Sequence, residues 1–286
     1  MVTKQFIAIF FGELLGTFIL VFFGTAIVAI AVLFQAVAGL VQVALVWGIG
    51  VTLAIYATRH LSCAHLNPAV SLGMVLAGRM QPRLLIPYWI AQLGGAILAG
   101  AFVLLIFGSS ITAYEAAHGI ARGSAASVQT AMMFGEYFPN PGFSHPWFDV
   151  SMGLAMTVEA VATFLLVTMI FLLTEGCNVG RPSDMLAPVF IGATVMALIA
   201  VTAPFTQTGL NPARDFGPRL IAWAAGWNHA AIPGPKGGFF AVYMASPMAG
   251  AAAAAAVFRW VITPLMTAKQ TVIPSCGCEQ GQRNAS

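Results

Sequence analysis

Charge is what this sequence has least of: 7% of its 286 residues are Asp, Glu, Lys or Arg, against about 25% in an average soluble domain. With 59% of residues apolar, a water-soluble globular domain is excluded. Twelve basic against nine acidic residues leave a net +3 scattered along the chain, which excludes a nucleic-acid footprint. Cysteine is scarce too. Cys63 and Cys177 stand at span edges and Cys276 and Cys278 in a polar tail, which is not the spacing of a secreted disulfide framework; the tail pair reads as ordinary thiols. His60, His118, His145 and His229 lie in loops without metal-ligand spacing, and there is no phosphate-binding loop or nucleophile constellation. The sequence therefore implies no cofactor, no metal and no enzyme, and makes an ATP-driven pump a poor fit.

What it has instead is long apolar runs. A helix needs about 20 apolar residues to cross a hydrocarbon core of about 30 Å. Six segments qualify, at 5–33, 38–58, 84–107, 151–174, 184–203 and 238–262. The first is too long for a signal-peptide core and lacks a cleavage site followed by polar sequence, so it reads as a spanning helix. Two further apolar stretches, 68–79 and 212–224, are too short; twelve residues reach only about 18 Å. Each follows an Asn-Pro pair, which starts a helix with Asn as the cap and Pro at the first helical position, where no N–H is needed. Two half-length helices entering from opposite faces would together make one crossing.

The halves repeat. His65-Leu66-Asn67-Pro68-Ala69-Val70 and Gly209-Leu210-Asn211-Pro212-Ala213-Arg214 share a Leu-Asn-Pro-Ala core offset by 144 positions, and Glu13 in the first span matches Glu159 in the fourth at an offset of 146. Three full spans per half, an odd number, require the second copy to insert upside down, with the special site near the midplane. The expected fold is an all-α membrane protein of six transmembrane helices plus two re-entrant half-helices in an inverted repeat, over about 5–107 and 151–262. Basic residues set the topology. With both termini cytoplasmic, eight of the twelve Lys and Arg lie inside, so 108–150 becomes an extracellular loop and 270–286 a cytoplasmic tail of a multi-pass cell-membrane protein. The long loop suits a vestibule or a plain linker equally.

At the midplane, Asn67 and Asn211 would each cap a half-helix and turn a side-chain NH₂ toward the other, offering two donors to one small polar molecule. The positive ends of two helix dipoles meet there, a barrier to cations and hydronium. Carboxylates inside apolar spans are costly. Repeat-equivalent Glu13 and Glu159 are read as acceptors that pin the loops at 62–66 and 206–210, where backbone N–H groups need partners, with His65 supporting the first. Their carbonyls then line the path. The alternative, a proton-coupled carrier switching on these carboxylates, stays open at this point. Arg214 has five fixed donors and permanent charge, suited to gripping hydroxyls and repelling cations at a constriction, and the first half has Val70 at the matching place. Asp215 and Arg219, four apart, are expected to neutralise one another. Small residues at helical spacing, such as Gly12 with Gly16, mark close helix packing.

By the paired Asn-Pro-Ala stretches, Arg214 after the second and the two span glutamates, the chain resembles the major intrinsic protein family of aquaporins and aquaglyceroporins over about residues 5–262. The resemblance implies a passive homotetrameric channel in membrane lipid with one pore per protomer, an Asn67/Asn211 midplane site and an outer aromatic/arginine filter. Asp215, Arg219 and Trp47 look like the glycerol facilitator branch. The other two filter places fall on Ile199 and Thr208, where that branch tends to have a small residue and a phenylalanine, and Tyr243 takes a place where water-selective members show Tyr. A wall of Trp47 and Ile199 with Arg214 opposite fits a solute with carbon on one side and hydroxyls on the other. Glycerol or a similarly small neutral solute, with some water, is the expected cargo; a water-selective aquaporin is the alternative, and a junction protein using the fold for adhesion is a weaker one.

Overall fold

The computed structural model describes residues 2–143, 145 and 147–272. Among the described residues there are helices and no strand. Six helices are long and apolar enough to cross a membrane, as the hydropathy of the sequence predicts. They are α1 (Val2–Phe34), α2 (Leu40–Ser62), α4 (Leu85–Ala117), α5 (Met152–Thr174), α6 (Ala187–Thr206) and a continuous span over Phe240–Ala268 whose central α-helical part is α8 (Ser246–Val257). Helix α8 is continued by wider π-helical turns at Phe240–Ala245 and Phe258–Ile262 and then by Thr263–Val272. Each wide turn runs into an X-Pro step, Ser246-Pro247 and Thr263-Pro264. Proline lacks the N–H that an α-helical register would use, and the Ser246 and Thr263 hydroxyls instead reach back five residues, to Ala241 O (2.8 Å) and Phe258 O (2.9 Å). Between the full spans sit two short helices, α3 (Pro68–Leu76) and α7 (Pro212–Ala222).

The packing crosses between halves. Each half-helix lies against the other half's third span, α3 on α8 and α7 on α4, while α2 packs along α6 at the centre. That central crossing depends on Gly48 and Gly192, since a β-carbon on either would collide with the other's backbone. Thr52, one turn on, closes the gap by donating to Gly48 O (3.0 Å) and Pro188 O (3.3 Å).

Two spans run ten residues past their expected ends, the last to Val272 instead of 262 and α4 to Ala117 instead of 107. The connection after α4 therefore begins at 118. Residues 108–117 are too polar for a hydropathy window, yet Glu115 is buried and held by Arg122 and Thr130. The connection 118–151 is no plain linker either: it buries Thr130, Met133, Phe134, Glu136, Tyr137 and Asn140. Cys177 is disulfide-bonded, where the spacing of the cysteines suggested no disulfide framework, and Cys63 is a free, exposed thiol. Cys276, Cys278 and nearly all of the polar tail lie outside the described residues.

Candidate functional site: a path between the half-helices

Both half-helices start as their sequence dictates. Asn67 Oδ1 accepts from Ala69 N (2.8 Å), and Asn211 Oδ1 accepts from Ala213 N (3.1 Å) and Arg214 N (3.2 Å), with Pro next in each case. The side-chain amides do cross the midline, but they do not stay free. Asn67 Nδ2 donates to Leu210 O (2.9 Å) and Asn211 Nδ2 to Leu66 O (2.8 Å), lacing the halves together. An amide carries two N–H bonds, so one on each Asn is not used by this lacing.

The loops ahead of the two Asn residues repeat to the residue. Cys63, Ala64 and Leu66 have φ of 67°, 52° and 55°, and Gln207, Thr208 and Leu210, each 144 positions on, have 57°, 69° and 58°. Left-handed backbone at non-glycine residues costs roughly 1–2 kcal/mol apiece, so something must hold it. Glu13 accepts from His65 N (2.9 Å) and Leu66 N (2.7 Å), and Glu159 from Gly209 N (2.8 Å) and Leu210 N (2.8 Å). Behind them, Gln92 donates to Glu13 (2.7 Å) and Thr206 to Glu159 (2.6 Å). Even the tyrosines are twins. Tyr88 donates to Ser62 O and Tyr243 to Thr206 O, the last carbonyls of α2 and α6. Tyr243 therefore lies behind the second loop, not on the path. His65 packs its ring beside Tyr88 (centroids 4.9 Å apart) with Nδ1 against Ser71 Oγ (3.2 Å).

A cavity of about 280 Å³ runs between these loops. His65, Asn67, Asn211, Trp47, Ile199, Thr208 and Arg214 all line it, whereas Glu13 and Glu159, fully buried, do not. Its other end reaches Arg59 and Asp184, where Arg59 and Tyr56 of α2 donate to the carbonyls of Asp184 and Met185.

The Arg214 end differs from the expected wall with Arg opposite. The guanidinium lies on the Trp47 ring, 4.0 Å from its centroid. Thr208 is small and its hydroxyl is engaged with Thr202 (2.8 Å), so Trp47 is the one aromatic face offered to the cation within the expected filter set. Trp47 in turn rests on Gly24 of α1, where any β-carbon would collide with the ring. Gly24→Ala is expected to push Trp47 toward the cavity, costing about 1–3 kcal/mol of overpacking and slowing a solute more than water. Stopped-flow light scattering of reconstituted vesicles reads both rates; equal slowing would show that Trp47 has not moved into the passage.

Glu136, which the sequence reading did not single out, forms an ion pair with Arg214, Oε1 to Nη1. It comes from the 118–151 connection, and its isolation among uncharged residues was the available signal. Asp215 and Arg219 do pair, Nη2 to Oδ1 at 2.8 Å and Nε to Oδ2 at 3.0 Å. They also grip the connection: Glu136 N donates to Asp215 Oδ1 (2.6 Å), and Arg219 donates to Glu136 O and to Ala231 O (2.7 Å). Tyr137 caps the cluster, its ring 4.8 Å from the Arg219 guanidinium carbon. Burial pushes its phenol up to about 12, so it stays a neutral donor to Ala230 O (2.8 Å).

Comparison with known proteins agrees with this architecture. The solved structure of the aquaglyceroporin from Plasmodium falciparum superposes with a TM-score of 0.77 at 23% identity, covering 92% of this chain and 99% of that one. The propanediol uptake facilitator of Citrobacter freundii is 39% identical over 252 residues, 88% of this chain and 90% of the relative. The glycerol uptake facilitator protein of Haemophilus influenzae is 38% identical over 269 residues, 94% and 96% of the two chains. Residues 1–258 match the family described as major intrinsic protein. Two capped half-helices, two loop-holding carboxylates and that match make this chain a member of the major intrinsic protein family.

Proposed function

We propose that the protein is a passive channel for glycerol or a similarly small neutral polyol, carrying some water and excluding protons and ions. The observation that carries this reading is that one and the same cavity is lined by both capping asparagines and by Arg214, with Glu13 and Glu159 behind the loops and off its wall. A carboxylate that holds two backbone amides and never meets the cavity suits a structural acceptor better than a proton switch. The spare N–H of each Asn and the loop carbonyls give a hydroxyl compound both donors and acceptors, while the two helix N-termini disfavour cations.

In this reading Trp47, Ile199, Thr208 and Arg214 form the filter. Trp47 and Ile199 supply carbon surface and Arg214 the donors; Thr208, with one hydrogen bond committed to Thr202, adds width where an aromatic ring would narrow the path. The names of the relatives, glycerol and propanediol facilitators, support a diol or triol as cargo. Tyr243, behind the second loop, gives a water-selective reading no support. We place the 118–151 connection and Arg214 on the extracellular side, both termini in the cytoplasm of a cell-membrane protein, and four protomers in the assembly, each with its own path.

Stopped-flow light scattering of proteoliposomes tests this. Glycerol and propanediol uptake should exceed the lipid background and ignore an imposed proton gradient. Fast water flux with no solute uptake above background would sink the solute reading, and uptake driven by the gradient would sink the channel.

A further inference from the structure

Glu136 places a carboxylate behind the filter arginine. Both side chains are buried, at 4% and 6% exposure, but only Arg214 faces the cavity; Glu136 does not line it. The backbone of Glu136 is itself clamped by the Asp215–Arg219 pair, and the next residue donates from Tyr137 N to Gln207 Oε1 (2.9 Å). Gly135 lets the chain pass this close, since a β-carbon there would meet the Arg219 guanidinium at 2.7 Å. Four buried charges, Glu136, Arg214, Asp215 and Arg219, thus sum to zero.

We propose that Glu136 is a positioning residue that neutralises Arg214, so that the constriction presents hydrogen-bond donors without a net field. A buried guanidinium without a counter-charge is costly and recruits one. Here the counter-charge is supplied from behind, by the protein, which leaves the cavity side unoccupied by small anions and open to hydroxyl compounds. The pair also holds Nη1 on the carboxylate, so the remaining donors are those that meet the solute. This rests on the reading of Arg214 as the narrow point.

The test is Glu136→Gln, which keeps shape and an amide oxygen for Arg214 Nη1 but removes the charge. Polyol uptake by proteoliposomes is measured with gluconate or thiocyanate as the sole external anion. Wild type is expected to be indifferent. E136Q is expected to slow in thiocyanate by about twofold once the anion reaches the dissociation constant of a single site, and Glu136→Asp to restore indifference. A loop anchor with no electrostatic role would leave E136Q as indifferent as wild type, and that result overturns the proposal. If E136Q fails to fold, the double variant E136Q/R214Q decides: recovery of folding supports charge pairing, and continued failure counts against it. Arg214→Ala separates the two levels. Unchanged solute ranking in R214A fails the filter reading itself; a changed ranking beside an anion-indifferent E136Q fails only the pairing.

Discussion

Arg214→Ala is expected to do two things at once, widening the choice of solute and making the constriction attractive to cations. The first follows from geometry. The guanidinium lies 4.0 Å above the Trp47 ring, within the cavity wall, and removing it opens the passage on the side where Thr208 already leaves room. The second follows from what stays behind: Glu136 keeps its charge, buried and without Nη1. Breaking a buried pair by removing one partner typically destabilises by about 3–5 kcal/mol, and a proton or hydrated cation drawn into the gap relieves part of that. Uptake of four- and five-carbon polyols should rise relative to glycerol, and a trapped pH dye should report proton entry above wild type. In R214A/E136Q the wide solute range should persist while the proton leak falls. An R214A variant with wild-type polyol ranking and wild-type proton tightness would place the narrow point elsewhere along the cavity.

How far the sequence reached depended on repetition. The half-helices were visible because Asn-Pro caps occur twice at one offset, and the hydropathy runs located all six long helices. Glu13 and Glu159 stood out for the same reason, and both carboxylates accept from loop amides. Arg214, with Val70 at the matching place, stood out by its charge alone, but other features without a twin at that offset were missed. Tyr88 and Tyr243 do the same job on Ser62 O and Thr206 O, but 155 positions separate them, because the connection to the third span differs in length between the halves. Glu136 has no counterpart at all, since it belongs to the connection between the copies. The extension of α4 to Ala117 was hidden because a hydropathy window ends where polar residues begin, although the helix does not.

Side-chain commitments were the other limit. Composition says that an Asn has an NH₂ to offer, but only the packed structure shows that one of its two N–H bonds is spent across the midline on Leu66 O or Leu210 O. Likewise, a guanidinium opposite an indole and a guanidinium stacked on it use the same residues. The choice is made by what surrounds them, here the small, hydrogen-bonded Thr208 and the carboxylate of Glu136.

The second large effect should come from Glu159→Ala. That carboxylate satisfies Gly209 N, Leu210 N and Thr206 Oγ1, all buried, and holds left-handed Gln207, Thr208 and Leu210 in place. Two buried N–H groups left without acceptors cost about 1–3 kcal/mol each, a large part of a net stability of about 5–15 kcal/mol. Relaxation of the loop would turn its carbonyls out of the path, so flux per folded molecule should fall along with the melting temperature. Glu13→Ala removes the matching acceptor but should be milder. Gln92, already hydrogen-bonded to Glu13, has an Oε1 that is buried without a partner, and turning its amide would offer that oxygen toward the loop. Near Glu159 the polar neighbours are the hydroxyls of Thr206, whose oxygen already accepts from Thr208 N (3.3 Å), and of Tyr243, which donates to the Thr206 carbonyl. Thermal unfolding in detergent, paired with polyol flux normalised to folded protein, should therefore rank E159A well below E13A. Equal losses would mean that Gln92 cannot turn and that the two halves, for all their differences in support, hold their loops equally tightly.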